Sequence, residues 1–264
     1  MATPRLIALL TDFGTRDWYV AALKGVLLTR APGARLVDIT HEIPPQDVLA
    51  GAFMLATAAP WFPTGTVFLA VVDPGVGSDR AVLAVQTERH YFIGPDNGLL
   101  APSVEQAKRR KIRRLTNHRL WLPQVSATFH GRDIIAPVAA YLAKGGVFQR
   151  VGVLANRMVA LRLPAVQRVG RVMRGQVIHI DTFGNLVTNI PAASTVMRTQ
   201  RSWVVRYKDR NARLVPSYTD GRGEELVAVV GSLGLLELAI REGSAAWALA
   251  AKRGDEVKLV MKRR

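Results

Sequence analysis

Apolar positions in the first half of the chain fall into two alternating kinds. Short runs, Arg5 to Leu10, Leu36 to Ile39 and the most apolar, Thr66 to Val72, read as strands, the last of them buried. Between them, Trp18 to Thr29 has helical spacing, and Gln46 to Ala59 is an Ala-rich helix entered through Pro44-Pro45. Ala81 to Gln86 with Tyr91 to Ile93 predicts a hairpin-like pair. Ile134 to Ala143 predicts a further helix, with Pro137 tolerated near its start and Gly145-Gly146 ending it. This alternation predicts an α/β layer with a mostly parallel sheet.

Beyond that the pattern becomes β-type. Val169 to Ile180, Leu186 to Ile190, Ser202 to Tyr207, Leu226 to Val230 and Leu235 to Ile240 are strand-like runs separated by turn signals. One helix near Ala245 to Ala251 precedes a last strand, Glu256 to Met261. With Pro164 at the change, the expected organisation is an N-terminal α/β domain over residues 1–163 and a β-rich C-terminal domain over 164–264.

Apolar residues make up 49% of 264, yet no run approaches the roughly 18 that a membrane-spanning helix needs. Leu6 to Leu10 is too short for a signal-peptide core. The expectation is a cytoplasmic protein without membrane association. With no cysteine, disulfides, thiolate metal sites and a cysteine nucleophile are excluded. The five histidines show no metal-helix spacing, so no metal site is expected.

Charge is the odd feature, 36 basic against 20 acidic residues for a net +16. Its densest cluster, Lys108 to Arg114 (KRRKIRR), and the terminal Lys262-Arg263-Arg264 are not interleaved with the aromatic residues that stack on single strands. A solvated helix end and a tail are expected there ahead of nucleic-acid contact.

Three stretches carry candidate chemistry: TDFG around Asp12, VVDPGVGSDR from Val71 to Arg80, and TFHGRD around His130. Loops at the carboxyl ends of α/β strands are where ligands sit. Each residue also has a plainer reading. Asp12 is either a helix N-cap or an acceptor for a ligand's hydroxyls, and Asp73 a catalytic carboxylate or the head of a Pro-Gly turn. Arg80 can simply pair with Asp79, His130 can be structural, and Asp96-Asn97-Gly98 is a turn first. His179 and Asp181 frame another strand end, followed by Asn185, which offers a donor and an acceptor to a heterocycle edge.

Taken in order, TDFG, DxYVAALKGV, VDITHEIPPQDV, FPTGTVFLAVVDPGVG, GPDNGLL, TFHGRDIIAPVAA, IDTFGNLVTNI and GSLGLLELA resemble the S-adenosyl-L-methionine (SAM) hydrolase family (adenosine-forming), also called SAM hydroxide adenosyltransferases. These are relatives of the SAM-dependent fluorinase and chlorinase, and the resemblance runs from about residue 6 to residue 260. It implies a barrel-like C-terminal domain and a homotrimer with each active site between two subunits. The positions that would act on the attacking water are Asp73, Arg80 and His130, and Asp12 would hold the ribose. Asp181 would meet the methionine amino group and Ser232 its carboxylate. Phe183, Asn185 and Tyr218 would line the adenosine pocket, while Glu237 is motif-like or shapes a turn.

The halogenating relatives carry an aromatic residue where Asp73 stands and lack the histidine. A carboxylate at the nucleophile site repels halide and orients water, so hydrolysis is expected over halogenation. A neutral thioether departing from a sulfonium needs no general acid, and no cofactor is expected. A SAM- or adenosine-binding sensor without turnover stands as the alternative, since it would keep Asp12, Asp181 and Asn185 without needing the Asp, Arg and His trio.

Overall fold

In the computed structural model, which describes residues 6–192 and 203–261, the chain divides into two units, Met1–Leu161 and Arg162–Arg264. The first unit runs β1 (Leu6–Thr11), α1 (Tyr19–Arg30), β2 (Arg35–Thr40), α2 (Val48–Ala58), β3 (Val67–Val71), β4 (Val82–Thr87), β5 (Tyr91–Pro95), α3 (Ala101–Glu105), β6 (Arg110–Leu115), α4 (Ala136–Ala143) and β7 (Gly152–Ala155). Its seven strands form one sheet in the order β2-β1-β3-β5-β4-β6-β7. The first four are mutually parallel, and the other three pairings are antiparallel, including the expected β4–β5 hairpin.

The solid apolar runs of β1 and β3 follow from a sheet covered on both sides. Ile7, Leu9 and Leu69 pack against Leu23 and Leu27 of α1 and Val138 and Leu142 of α4. Ala8, Leu10, Phe68 and Ala70 face the other way, onto Ala52 and Leu55 of α2 and Val104 of α3. Burying each large side chain contributes about 1.5–3 kcal/mol. Asp47 caps α2 by accepting from the Ala50 N–H at 2.9 Å. The helix expected from Ile134 is entered through a wider π-type turn, Gly131–Ile135, closed by the Ala136 N–H on the Gly131 carbonyl.

The basic cluster corrects the sequence reading. Lys108 to Arg114 is not a solvated helix end: from Arg110 it forms β6, hydrogen-bonded between β4 and β7. Ile112 enters the core on one face and Leu115 on the other, and Arg113 donates to the Gly152 carbonyl at 2.5 Å. Arginine stems can lie along apolar surface while their heads stay wet, so charge density misleads here. Lys262-Arg263-Arg264, and Arg5 at the start of the first expected strand, lie outside the described residues.

The second unit contains β8 (Gln167–Val169), β9 (Val172–Ile180), β10 (Leu186–Pro191), β11 (Trp203–Tyr207), β12 (Arg210–Leu214), β13 (Leu226–Val230), β14 (Leu235–Ile240) and β15 (Glu256–Met261). Seven of them close a ring, β10-β14-β13-β12-β11-β15-β9 and back to β10, with β8 appended to β9. Inward side chains such as Val177, Leu186, Val205, Tyr207, Leu236 and Leu259 fill it. The helix expected over Ala245 to Ala251 is one turn, Ala245–Ala248, capped by Ser244. β12, with its Arg-Asn-Ala-Arg-Leu sequence, carries too little alternation to be read from sequence.

Ile112→Ala is expected to lower the unfolding free energy by about 2–4 kcal/mol in denaturant titration. Lys111→Ala, on the exposed side chain beside it, should stay within about 0.5 kcal/mol; equal effects would place the segment outside the sheet.

Candidate active site

The parallel register Thr11↔Val71 delivers two loops to the same end of the sheet, one carrying Asp12 and the other Asp73. The second loop is folded by its own bonds: Val76 N–H to the Asp73 carbonyl at 3.2 Å and Ser78 N–H to the Gly75 carbonyl at 3.1 Å. Gly77 sits at φ +82°, where a Cβ would lie 2.6 Å from the Ala127 carbonyl oxygen. Only glycine lets this loop press against the segment that leads to His130.

Arg80 then turns back onto Asp73 rather than pairing with Asp79. Its Nε donates to Asp73 Oδ1 at 2.6 Å and its Nη2 to Oδ2, with the two side chains only 10% and 4% exposed. The same Nη2 lies 3.1 Å from His130 Nδ1. A guanidinium can only donate, so Nδ1 must accept, leaving a neutral imidazole whose hydrogen is on Nε2. Burial, and then the Arg80 charge, hold the His130 pKa below its ordinary value of 6.5, against the opposing pull of Asp73 and Asp133. Arg80 Nη1 is buried and has no hydrogen-bond partner among the described residues.

Three residues after His130, in the π-type turn, stands Asp133, a fully buried carboxylate. It accepts from Ser126 N at 2.8 Å and from Arg132 Nε and Nη2 at 2.6 and 3.1 Å, while the Arg132 guanidinium lies 4.9 Å over the Phe129 ring. Asp12 is not a helix N-cap, since α1 starts seven residues later and Trp18 occupies the capping position. Its Oδ2 accepts from Gln46 N at 2.8 Å. Burial pushes its pKa up, the backbone hydrogen bond works against that, and the Asp73 charge adds to the rise. Phe13, Trp18, Tyr19 and Phe129 form an aromatic cluster with centroids 4.6–6.0 Å apart. Sequence reasoning gave this cluster no role, although Trp18-Tyr19 stands within six residues of TDFG. Asp96-Asn97-Gly98 is the structural turn expected, with Asn97 donating to the Val72 carbonyl at 2.8 Å.

In the second unit, Asp181 ends its strand in a side-chain-closed turn. Oδ1 accepts from Phe183 N and Asn185 N at 2.9 and 2.8 Å, and Oδ2 from Asn185 Nδ2 at 2.9 Å, with Gly184 at φ +83°. Asn185 therefore presents its amide oxygen. Phe183, Asn185 and Tyr218 line one cavity of about 570 Å³ together with Arg241, Glu242 and Gly243 after β14. Sequence reasoning missed those last three; the only local signal was a turn after the strand. Glu237 has a partner that sequence could not supply: buried, it accepts from the Tyr218 hydroxyl at 2.5 Å. Burial and that bond raise the Tyr218 pKa. Ser232 lies outside this lining, exposed in the turn between β13 and β14.

Among the described residues no three His, Asp or Glu side chains converge as a metal site would need. What the first unit offers is a carboxylate tied to a guanidinium, a neutral imidazole and a second carboxylate at the carboxyl end of the parallel strands. Such a set can orient a small polar nucleophile and take its proton.

Family models describing the SAM hydroxide adenosyltransferase N-terminal and C-terminal domains match residues 7–152 and 175–258. A protein of Thermus thermophilus named (R)-S-adenosyl-L-methionine hydrolase is 39% identical over 97% of this chain and 100% of its own. One of the same name from Salinispora tropica is also 39% identical, over 98% and 99%. The solved structure of an uncharacterized conserved protein from Thermotoga maritima superposes with a TM-score of 0.90 at 36% identity, covering 96% of this chain and 99% of that one.

Gly77→Ala forces both a left-handed backbone and a methyl group against Ala127. It is expected to cost about 1–3 kcal/mol in thermal or chemical unfolding, where Gly223→Ala, with open space around it, shows only the backbone part.

Proposed function

Because this chain belongs to the SAM hydroxide adenosyltransferase family, we infer that it hydrolyses S-adenosyl-L-methionine to adenosine and L-methionine. The observation that carries the reading is the Asp73–Arg80–His130 cluster beside Asp12. Water oxygen attacks ribose C5′ as the C5′–S bond breaks, its electron pair leaving on the neutral thioether of methionine. The protein's task is to hold that water in line and remove one proton.

The tautomer at His130 supports a division of labour. Nδ1 is turned to Arg80 and Nε2 already carries hydrogen, so the ring can donate to the water oxygen but has no free nitrogen to take its proton. Asp73 keeps unused lone pairs beside its two Arg80 bonds and receives it. Arg80 holds both Asp73 oxygens in one orientation, and its unpartnered Nη1 is a spare donor at the same place.

Asp12, with Oδ1 uncommitted to Gln46, suits the ribose diol. The cavity of Phe183, Asn185 and Tyr218 suits a flat nucleobase, with the Asn185 amide oxygen as an acceptor for an exocyclic amine. Asp181 is assigned to the methionine amino group and Ser232 to its carboxylate on the family pattern. No cofactor enters the proposed reaction.

The assembly proposed is a homotrimer in which one copy's first unit faces its neighbour's second. Supporting this, each half of the site leaves bare aromatic surface that a partner would cover: Trp18 and Tyr19 in one unit, and in the other Phe183 and Trp247 at 77% and 85% exposure. A cytoplasmic setting belongs to the same proposal; no helix among the described residues is long and apolar enough to cross a membrane.

In oxygen-18 water, SAM should yield methionine and adenosine labelled at the 5′-oxygen. Unlabelled adenosine, or 5′-halogenated adenosine in halide buffer, overturns the reading. Because His130 works neutral and its pKa is depressed, the rate should hold above pH 6.5 and fall as pH drops through the lowered value. Light scattering should give three chain masses, and a single-chain mass for the active species would exclude the shared site.

A further inference from the structure

His41, in the VDITHEIPPQDV stretch, has no part in the reaction described above, yet it is almost fully buried behind Asp12. Its Nδ1 lies 2.8 Å from Thr11 Oγ1, and its Nε2 lies 3.0 Å from Asp38 Oδ1. Asp38 Oδ2 accepts from Lys24 Nζ at 2.6 Å. Thr11 Oγ1 in turn accepts from the Phe13 N–H at 3.3 Å.

With the His41 ring neutral, the hydrogens along this string have one consistent order. Lys24 can only donate, so Asp38 accepts from it and from the His41 Nε2–H; Nδ1 then accepts the Thr11 hydroxyl hydrogen, and Thr11 accepts from Phe13. Burial pushes the Asp38 carboxyl up, but its bonds to Lys24 and His41 outweigh that and hold it below its ordinary value. A surface ion pair is thereby connected to the backbone of the residue adjoining Asp12. The backbone repeats the connection, since Gly14 N–H donates to the His41 carbonyl at 2.7 Å and Ile43 N–H to the Thr11 carbonyl at 3.4 Å. Four residues past Glu42, Gln46 adopts φ +66°, a left-handed conformation unusual for its type, and in it gives its N–H to Asp12 Oδ2. Both flanks of Asp12 are set by the loop that His41 anchors.

We propose that His41, hydrogen-bonded between Thr11 and the Asp38–Lys24 pair, is the positioning residue that fixes the Asp12 carboxylate at the angle needed to accept the ribose hydroxyls. This rests on the proposed reading of Asp12. Arranging a carboxylate before the ligand arrives removes an ordering cost from binding, so loss of the string should appear as weaker affinity for the ribose-bearing product.

The test is adenosine binding by calorimetry to the full chain and its variants. Thr11→Val keeps the shape but deletes the hydroxyl, and should weaken adenosine about five- to tenfold. Thr11→Ser loses a buried methyl but keeps the hydroxyl, and should bind as the parent does although it unfolds at lower temperature. Asp12→Asn should weaken binding more than Thr11→Val, and Thr11→Val should add nothing in that background. Should Thr11→Val fail to fold, Asp38→Asn on the exposed side of the string is measured in its place, with a smaller loss expected that also vanishes beside Asp12→Asn. Parent-like binding by Thr11→Val, a Thr11→Ser loss that follows stability, or a loss undiminished in the Asp12→Asn background would each overturn the proposal. Failure of the underlying reading shows differently, as adenosine that does not bind the parent chain or binds Asp12→Asn equally well.

Discussion

The N-terminal site depends on one buried ion pair, Asp73 with Arg80. Taking a carboxylate and a guanidinium out of water costs several kcal/mol each, which only good geometry offsets. The fork of Nε and Nη2 on the two carboxylate oxygens supplies that geometry, and the remaining hydrogen on Nη2 reaches His130. Because a guanidinium cannot accept, this one residue orients its carboxylate and sets the tautomer of its imidazole together. The loop that makes the turn possible must be short and tight, which is why Gly77 lies against Ala127 with no room for a side chain.

Charge balance at the carboxyl end of the strands follows from the same pair. Asp12 and Asp73 leave adjacent parallel strands in register, and their mutual repulsion adds to the rise in the Asp12 pKa that burial begins. Arg80 neutralises only one of them. The other is stabilised by a backbone N–H from Gln46, a fixed dipole that needs no second buried cation. In the C-terminal unit the economy is similar: Asp181 closes its own turn and orients Asn185, and Glu237 takes the Tyr218 hydroxyl, so that two aromatic rings and one amide oxygen join Arg241 and Glu242 in the cavity wall.

Several of these features were legible because they are local. The apolar runs of β1 and β3 announce strands, and glycine within two residues of Asp12, Asp73 and His130 announces tight loops at strand and helix ends. The eight ordered motifs carry family membership. The basic cluster was misread for a physical reason: in Arg110–Leu115 two of the three side chains on each face are charged, and only pairing with β4 and β7 reveals that Ile112 and Leu115 are the residues that point inward. Trp18 and Tyr19 stood close to TDFG, but an aromatic pair at the start of a helix looks the same whether it packs inward or lines a site.

The sequence by itself therefore determined the kinds of groups available and the local geometry each could adopt: a carboxylate ending a buried strand, an arginine after a glycine turn, a histidine ahead of a helix. Tertiary structure decided who partners whom. That Arg80 chooses Asp73 over the adjacent Asp79, that His130 accepts rather than donates at Nδ1, and that His41 reaches Thr11 across thirty residues are outcomes of chain crossings brought together by the parallel sheet. Local periodicity encodes burial, whereas proton placement depends on distances between segments that approach one another only when the sheet closes.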